Sequence, residues 1–187
     1  MQYSKLAKTY TELENTTKRL QKTHLLSEFL KTVSDDDLEH VMLLLEGRVF
    51  PAWDSREIGV AARTILKAIS VATGKEAEKI EELWKKIGDL GKVAEQLMTK
   101  KTQSTLFSKT LSSIKVFDNL QKIATMEGEG TVDRKVKLIA ELLTSSTPEE
   151  AKYLVRTIIG ELRAGLGEGT IRDSIVWAFF GEKIGIR

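Results

Sequence analysis

The chain has 187 residues, of which 41% are hydrophobic and 30% charged, and its net charge is +2. That is the composition of a globular domain with ample apolar mass for a core, and not of a disordered segment. With no cysteine and only His24 and His40, it excludes disulfides, thiolate zinc sites, cysteine nucleophiles and multi-histidine metal centres.

Apolar residues recur at helical spacing along almost the whole chain. Tyr3, Leu6, Tyr10 and Leu13 form the first stripe and predict a helix near 2–13. A second helix is expected near 17–32. Ser34 before Asp35-Asp36-Asp37 reads as a capping box that opens a helix near 35–46, with Leu38, Val41, Met42 and Leu45 on one face. Helices near 58–73, 76–87, 90–101, 112–126 and 131–144 follow. Thr147 before Pro148-Glu149-Glu150 is a second capping box, with proline at the first helical position. It opens a helix near 148–159, and a last one is expected near 168–180. Gly47, Gly74, Gly88, Gly128, Gly160 and Gly181 fall where these helices should stop. No alternating run of strand length is present, so the fold class is all-α, with about ten helices. No apolar run approaches the roughly 20 residues that span a bilayer. Met1-Gln2-Tyr3-Ser4-Lys5 carries no apolar h-region, so a cytoplasmic location and no membrane partner are expected.

The chain repeats itself. At an offset of 113, Leu25-Leu26-Ser27-Glu28-Phe29-Leu30 meets Leu138-Ile139-Ala140-Glu141-Leu142-Leu143. Lys22 then meets Lys135, Ser34 meets Thr147, Asp37 meets Glu150, and Gly47 meets Gly160. The offset falls to 106 where Gly59 meets Gly165 and Thr64-Ile65 meets Thr170-Ile171, so the first copy holds seven extra residues around Phe50-Pro51-Ala52-Trp53. Two pseudo-symmetric copies, about 3–74 and 116–181, joined by 75–115, are expected within a single domain spanning 1–187. The first copy continues past Gly74 into Lys75–Leu97, whereas its counterpart would begin near Glu182. A piece of a longer protein is expected.

No catalytic constellation emerges. There is no Gly-x-x-x-x-Gly-Lys-Ser/Thr loop and no Lys-x-Asp-Gly motif. The glycine-rich stretch 161–170 follows a helix rather than the strand a dinucleotide fingerprint needs. Asp35-Asp36-Asp37 suits a helix N-terminus better than a metal. Charge is unevenly spread: residues 1–27 carry five Lys/Arg against two Glu, and 99–125 carry five Lys against Asp118. Such local excess is the footprint a nucleic-acid binder needs. A glycine beside a helix start lets the backbone approach a large anion, which the free N–H groups of the first turn can bind. Gly128-Glu129-Gly130-Thr131, Gly165-Leu166-Gly167 and Gly59 offer this arrangement, with Lys18, Arg19, Arg56, Lys135 and Arg163 beside them or their repeat equivalents. The same glycines could simply end helices, and Glu129, Glu161 and Glu168 oppose a plain anion patch. The alternative from another class is a helical-repeat scaffold for protein partners, with an apolar groove and salt-insensitive binding.

Arg156-Thr157-Ile158-Ile159-Gly160-Glu161-Leu162-Arg163-Ala164-Gly165-Leu166-Gly167-Glu168 resembles the signature of the N-terminal DNA-binding domain of ATP-dependent DNA ligases, the archaeal ones above all. Glu57-Ile58-Gly59-Val60, Lys67-Ala68-Ile69, Ala72-Thr73-Gly74, Gly88-Asp89-Leu90-Gly91, Gly128-Glu129-Gly130 and Asp133-Arg134-Lys135 resemble it too. The resemblance implies an all-α domain that lies on the minor groove of nicked duplex DNA while an adenylation domain and an OB-fold domain close around it, in replication and repair. It implies DNA contacts at Lys18, Arg19, Gly59, Gly128, Gly130, Thr131, Lys135, Gly160, Arg163, Gly165 and Gly167. Relatives often place a basic residue after the glycine matching Gly160. Glu161 stands there, which shifts the weight to Arg163. The adenylated lysine belongs to the next domain, so this chain is expected to be non-catalytic and without a cofactor, while the parent enzyme uses ATP and Mg. Gln103-Ser104-Thr105-Leu106-Phe107 resembles the shortened box that docks archaeal ligases on a PCNA-type sliding clamp, through Gln103, Leu106 and Phe107. The other reading of Leu106 and Phe107 is an anchor of the inter-repeat connection in the core.

Overall fold

A computed structural model describes residues 1–99 and 110–181, and the clamp-box residues Gln103, Leu106 and Phe107 lie outside them. Among the described residues the backbone forms ten helices: α1 (Tyr3–Glu14), α2 (Arg19–Leu30), α3 (Asp35–Leu45), α4 (Ala62–Thr73), α5 (Ala77–Ile87), α6 (Leu90–Thr99), α7 (Ser113–Thr125), α8 (Thr131–Thr144), α9 (Pro148–Ile159) and α10 (Glu168–Phe180). The all-α expectation holds, and most boundaries fall within two residues of the periodicity reading.

The departures at α2 and α4 have local causes, and the one at α3 a distant one. α4 starts at Ala62 rather than near 58, because Ile58 and Val60 are buried from an irregular loop and Gly59 takes a left-handed φ of +56°. α2 starts at Arg19 because Thr16 Oγ accepts from the Lys18 N–H at 3.3 Å and donates to Gln21, a side-chain turn that competes with helix. The capping box at Thr147 forms in full: Glu150 N–H donates to Thr147 Oγ at 3.2 Å, and Thr147 N–H donates to the Glu150 carboxylate at 2.7 Å. The one expected at Ser34 does not. The Asp37 carboxylate is taken by the Met1 ammonium at 2.6 Å and by the Ser34 hydroxyl at 2.9 Å, so neither side chain caps a backbone group.

α9 is the centre of the array. Every residue from Glu150 to Ile158 is buried, so this helix is enclosed on all sides rather than along one stripe. α1 packs on one side of it and α6 on another. The Tyr10 and Tyr153 rings lie 5.0 Å apart between α1 and α9, and the Tyr10 hydroxyl donates to the Leu44 carbonyl at 2.7 Å. α10 packs on α2, α4 on α8, and α3 on α7. The start of α1 is pinned beside α7 by Tyr3 N–H to Leu111 carbonyl (2.8 Å) and Ser113 N–H to Met1 carbonyl (2.9 Å). His40 is buried there, with its Nε2 2.8 Å from Ser113 Oγ.

The α6–α9 contact is unusually close. A Cβ on Gly91 would lie 2.6 Å from Arg156 Cγ and 2.6 Å from the Lys152 carbonyl oxygen. Neither can retreat, since one is helix backbone and the other belongs to a buried arginine. Gly91→Ala is therefore expected to lower stability by about 1–3 kcal/mol through overpacking. Urea unfolding followed by circular dichroism checks this, and an unchanged midpoint would show that the two helices can separate without loss.

Candidate nucleic-acid interface

The α9 helix ends at Gly160, and the chain reaches α10 through a short irregular segment. Gly160 (φ +81°), Arg163 (φ +56°) and Gly165 (φ +63°) all take left-handed backbone there. At Gly165 glycine suits the φ, and a Cβ there would displace the Lys22 ammonium from its place against the backbone. Lys22 is buried and comes from α2. Its ammonium donates to the carbonyls of Ala164 (3.1 Å) and Gly165 (2.8 Å), so the segment is tied to α2 through its backbone. Arg19, in the first turn of α2, donates to the buried Asp173 of α10 at 2.6 Å. Hydrogen bonds from Arg172 and then Arg19 hold the Asp173 carboxyl below its usual range.

These ties hold Gly165 and the start of α10 against the start of α2, where Lys18 is the N-cap and Arg19 the first residue; Gly160 and Arg163 lie earlier on the same segment. Gly167 occupies the N-cap of α10, so no side chain caps its first turn. Helix starts of this kind present N–H groups to an anion. Arg163 has 46% of its side chain in solvent; one guanidinium nitrogen pairs with Glu161 and the other lies 3.5 Å from Asp89. Glu161 is thus the counter-charge of the arginine beside it.

Gly128, Gly130, Thr131 and Lys135 form a second junction at the start of α8. Gly128 (φ +87°) and Gly130 (φ +71°) are left-handed, and Thr131 Oγ donates to the Gly128 carbonyl. Arg134 braces this turn: it donates to the Glu127 carbonyl at 2.8 Å and, at 3.3 Å, to the Glu129 carbonyl and Thr131 Oγ. The sequence reading kept Lys135 as a site residue and left Arg134 out. The turn's glycines were the available signal, since a left-handed turn with bare carbonyls needs a donor nearby.

Gly59 joins neither helix start directly. The loop 46–61 that carries it forms, with 157–160 at the end of α9, the walls of a cleft of about 1050 Å³. Gly59 and Gly160 therefore line one cleft; Gly47, on the same loop, lies close to Leu162, with an ideal Cβ 3.5 Å from that side chain. Arg56 is engaged locally: it chelates Asp54 at 2.6–3.1 Å and lies 4.1 Å over the Phe50 ring.

Behind the first junction lies a buried charge network that spacing alone could not reveal. Arg156, 2% exposed, donates to Asp89 at 2.5 Å and to Glu14 at 3.0 and 3.2 Å. Lys152 joins Glu14 at 2.8 Å, and the Tyr153 hydroxyl donates to Glu14 at 2.9 Å. Burial opposes the charge on Glu14, but hydrogen bonds from Arg156, Lys152 and Tyr153 outweigh it and hold its pKa at about 2. Burial likewise opposes the Asp89 charge, and Arg156 reverses this, leaving Asp89 below the carboxylate range. The same partners raise Arg156 against its own burial.

Among the described residues, no group of three or more His, Cys, Asp or Glu could hold a metal ion, and no helix is long and apolar enough to cross a membrane.

The structure defines the class: an all-α helical domain whose helix junctions are lined by glycine and flanked by cations. Residues 2–176 match the family described as DNA ligase N terminus, and the chain belongs to that family. It is 45% identical over 179 residues to the DNA ligase of Thermococcus fumicolans, covering 96% of this chain and 32% of that protein. It is 42% identical over 183 residues to the DNA ligase of Methanobrevibacter smithii (98% and 33%), and 43% identical over 179 residues to that of Nanoarchaeum equitans (96% and 31%). The chain thus spans about a third of the length of these relatives.

The depressed carboxylates set a pH dependence. Glu14 and Asp89 have folded pKa values below their unfolded ones, so the unfolded chain binds protons first on acidification. The stability they contribute is present above pH 4.5, the ordinary value of Glu14, and is lost as pH falls toward 2. Glu150, pushed up by its burial, works in the opposite sense. Comparing Glu14→Gln with the unsubstituted chain isolates the effect: the variant is less stable at neutral pH and loses less between pH 5 and 3 (about the carboxylate range). Equal losses in the two proteins, by urea melts at each pH, would remove Glu14 from the account.

Proposed function

We propose that this chain is the duplex-gripping domain of an ATP-dependent DNA ligase and that it holds nicked DNA through backbone and minor-groove contacts. The observation that carries the reading is that Lys22 and Arg19 tie the segment after Gly160 and the uncapped start of α10 to the basic start of α2, in a chain of the DNA ligase N-terminus family. Main-chain N–H groups and Arg/Lys side chains read phosphate and sugar rather than bases. The minor groove offers little sequence code in any case, so binding is sequence-independent. The α8 start, with Gly128, Gly130, Thr131 and Lys135, supplies a second grip, and the cleft between Gly59 and Gly160 lies between the two loops that carry them. Two copies of one helical unit suit two places along a duplex.

In this reading the sealing chemistry belongs to adenylation and OB-fold domains of the same ligase, which use ATP and Mg. This domain contributes by positioning the substrate. It takes no cofactor itself and works in replication and repair on the chromosome, in the cytoplasm. Gln103, Leu106 and Phe107 dock a PCNA-type sliding clamp, the glutamine at a pocket edge and the Leu-Phe pair in an apolar hole.

Fluorescence anisotropy with a labelled nicked duplex tests the grip. Affinity is expected to fall steeply between about 50 and 200 mM salt, and Arg163→Ala to weaken all sequences alike while reducing the salt slope by about one. Glu161→Gln is expected to tighten binding by roughly two- to fivefold, as it removes an exposed competitor for Arg163. Binding insensitive to salt and to Arg163→Ala would overturn the reading. With ATP the chain should retain no AMP after denaturation, yet it should raise nick sealing by an adenylation/OB-fold fragment.

Calorimetric titration tests the clamp contact. Phe107→Ala is expected to lose ~2 kcal/mol or more of clamp binding, the size of a buried aromatic anchor, and to leave DNA affinity unchanged. Clamp binding that survives Leu106→Ala/Phe107→Ala in a folded chain would reject it.

A further inference from the structure

Gly88-Asp89-Leu90-Gly91 lies in none of the glycine junctions. Its place in the fold gives it a task. Gly88 closes α5 with a left-handed φ of +73°, and Asp89 then sits at the start of α6, where its Oδ1 accepts from the Lys92 N–H at 3.1 Å. The carboxylate is buried, yet two arginines converge on it. Arg156 Nε donates to Oδ1 at 3.3 Å and Nη2 to Oδ2 at 2.5 Å, while Arg163 Nη1 lies 3.5 Å from the same Oδ2. Arg156 is inside α9, and Arg163 is past its end.

Arg163 is also the residue whose backbone most needs external support. It holds φ +56°, and among the described residues no other non-glycine takes positive φ. An L side chain disfavours this conformation, so surrounding contacts must impose it. Next to it, Ala164 is buried, and Lys22 grips the carbonyls of Ala164 and Gly165. Backbone ties from α2 and a carboxylate from α6 thus hold the segment from two directions. Gly91, in the first turn of α6, lets the helix come close to α9.

We propose that Asp89 is a positioning residue for DNA binding: fixed by Arg156 and the start of α6, it aims the Arg163 guanidinium at the mouth of the 160–167 segment. The inference rests on the proposed DNA contact of that segment. Asp89 itself does not touch DNA. It orders the arginine before DNA arrives, so less side-chain freedom is lost on binding.

The sign of one substitution separates this role from simple charge. Asp89 is an acid near the path of a polyanion, so by Coulomb's law alone Asp89→Asn should tighten binding. Positioning requires the reverse. Asp89→Asn is expected to weaken nicked-duplex binding by roughly three- to fivefold, the scale of one partly exposed ion pair. In an Arg163→Ala background the same change is expected to add no loss. Glu14→Gln, which removes the other Arg156 partner without approaching Arg163, is expected to leave DNA affinity unchanged. Unaltered or tighter binding by a folded Asp89→Asn chain, or equal losses with and without Arg163, would overturn the proposal.

A measurement on the unsubstituted chain stands beside these variants and decides the matter if Asp89→Asn fails to fold. Nitrogen relaxation of the Arg163 Nε–H in the DNA-free protein is expected to show order close to that of the backbone. Mobility like that of a free surface arginine would overturn the proposal. Absence of DNA binding by the unsubstituted chain would reject the gripping function instead, and the relaxation result would still stand on its own.

Discussion

Arg156 is a guanidinium enclosed in protein, and much of the architecture follows from keeping it charged there. Removing a charge from water is unfavourable by several kcal/mol unless partners replace the solvent. Asp89 arrives from α6 and Glu14 from α1, so the charge is met from both sides of α9. Three helices far apart in sequence are thereby held in one register. The close approach at Gly91 and the tilted Tyr10–Tyr153 ring pair belong to the same constraint. Such a triad is a weak source of net stability compared with apolar packing, but losing one partner leaves a buried charge unmet. Its effect is to specify how α1, α6 and α9 meet.

The candidate interface grows from the end of that rigid unit. The segment after Gly160 leaves α9 at the helix whose position is most tightly defined, and Lys22 and Asp89 fix its course. The exposed groups on it are therefore few and ordered: backbone N–H groups at the start of α10, Arg163, and the Arg19 and Lys18 side chains on α2. Glu161 and Asp173 keep two of these arginines paired in the absence of a ligand. The Arg163–Glu161 pair is exposed on both sides and therefore weak, whereas the Arg19 pair ends on a buried carboxylate that Arg172 also meets.

Segments matched by the internal repeat exchange partners in space. α2 and α8 are matched in the two copies, as are α4 and α10, and the structure packs α10 on α2 and α4 on α8. α1 on α9 and α3 on α7 form a second matched pair of contacts. Two copies around an approximate twofold would require this reciprocity. The loop 46–61 differs from its counterpart by the added residues around Phe50-Pro51-Ala52-Trp53, and it forms most of the cleft that Gly59 shares with Gly160.

Helix content, helix boundaries and the residue types at the junctions were legible in the sequence, because they depend on local physics. A 3.6-residue stripe, a Thr-Pro-Glu-Glu start and a glycine stop act within a few residues of themselves. At Ser34 a distant group intervenes: the Met1 ammonium takes the Asp37 carboxylate that should complete a cap. The site was half legible. Gly160, Gly165 and Arg163 could be named from the signature, but not that Lys22 holds Gly165, that Arg134 braces the Gly128 turn, or that Asp89 lies behind Arg163. Those pairings join residues more than seventy positions apart in two of the three cases, and spacing carries no information about which buried cation meets which carboxylate. Only packing three helices around α9 decides that, because a buried charge selects its partner by distance in space.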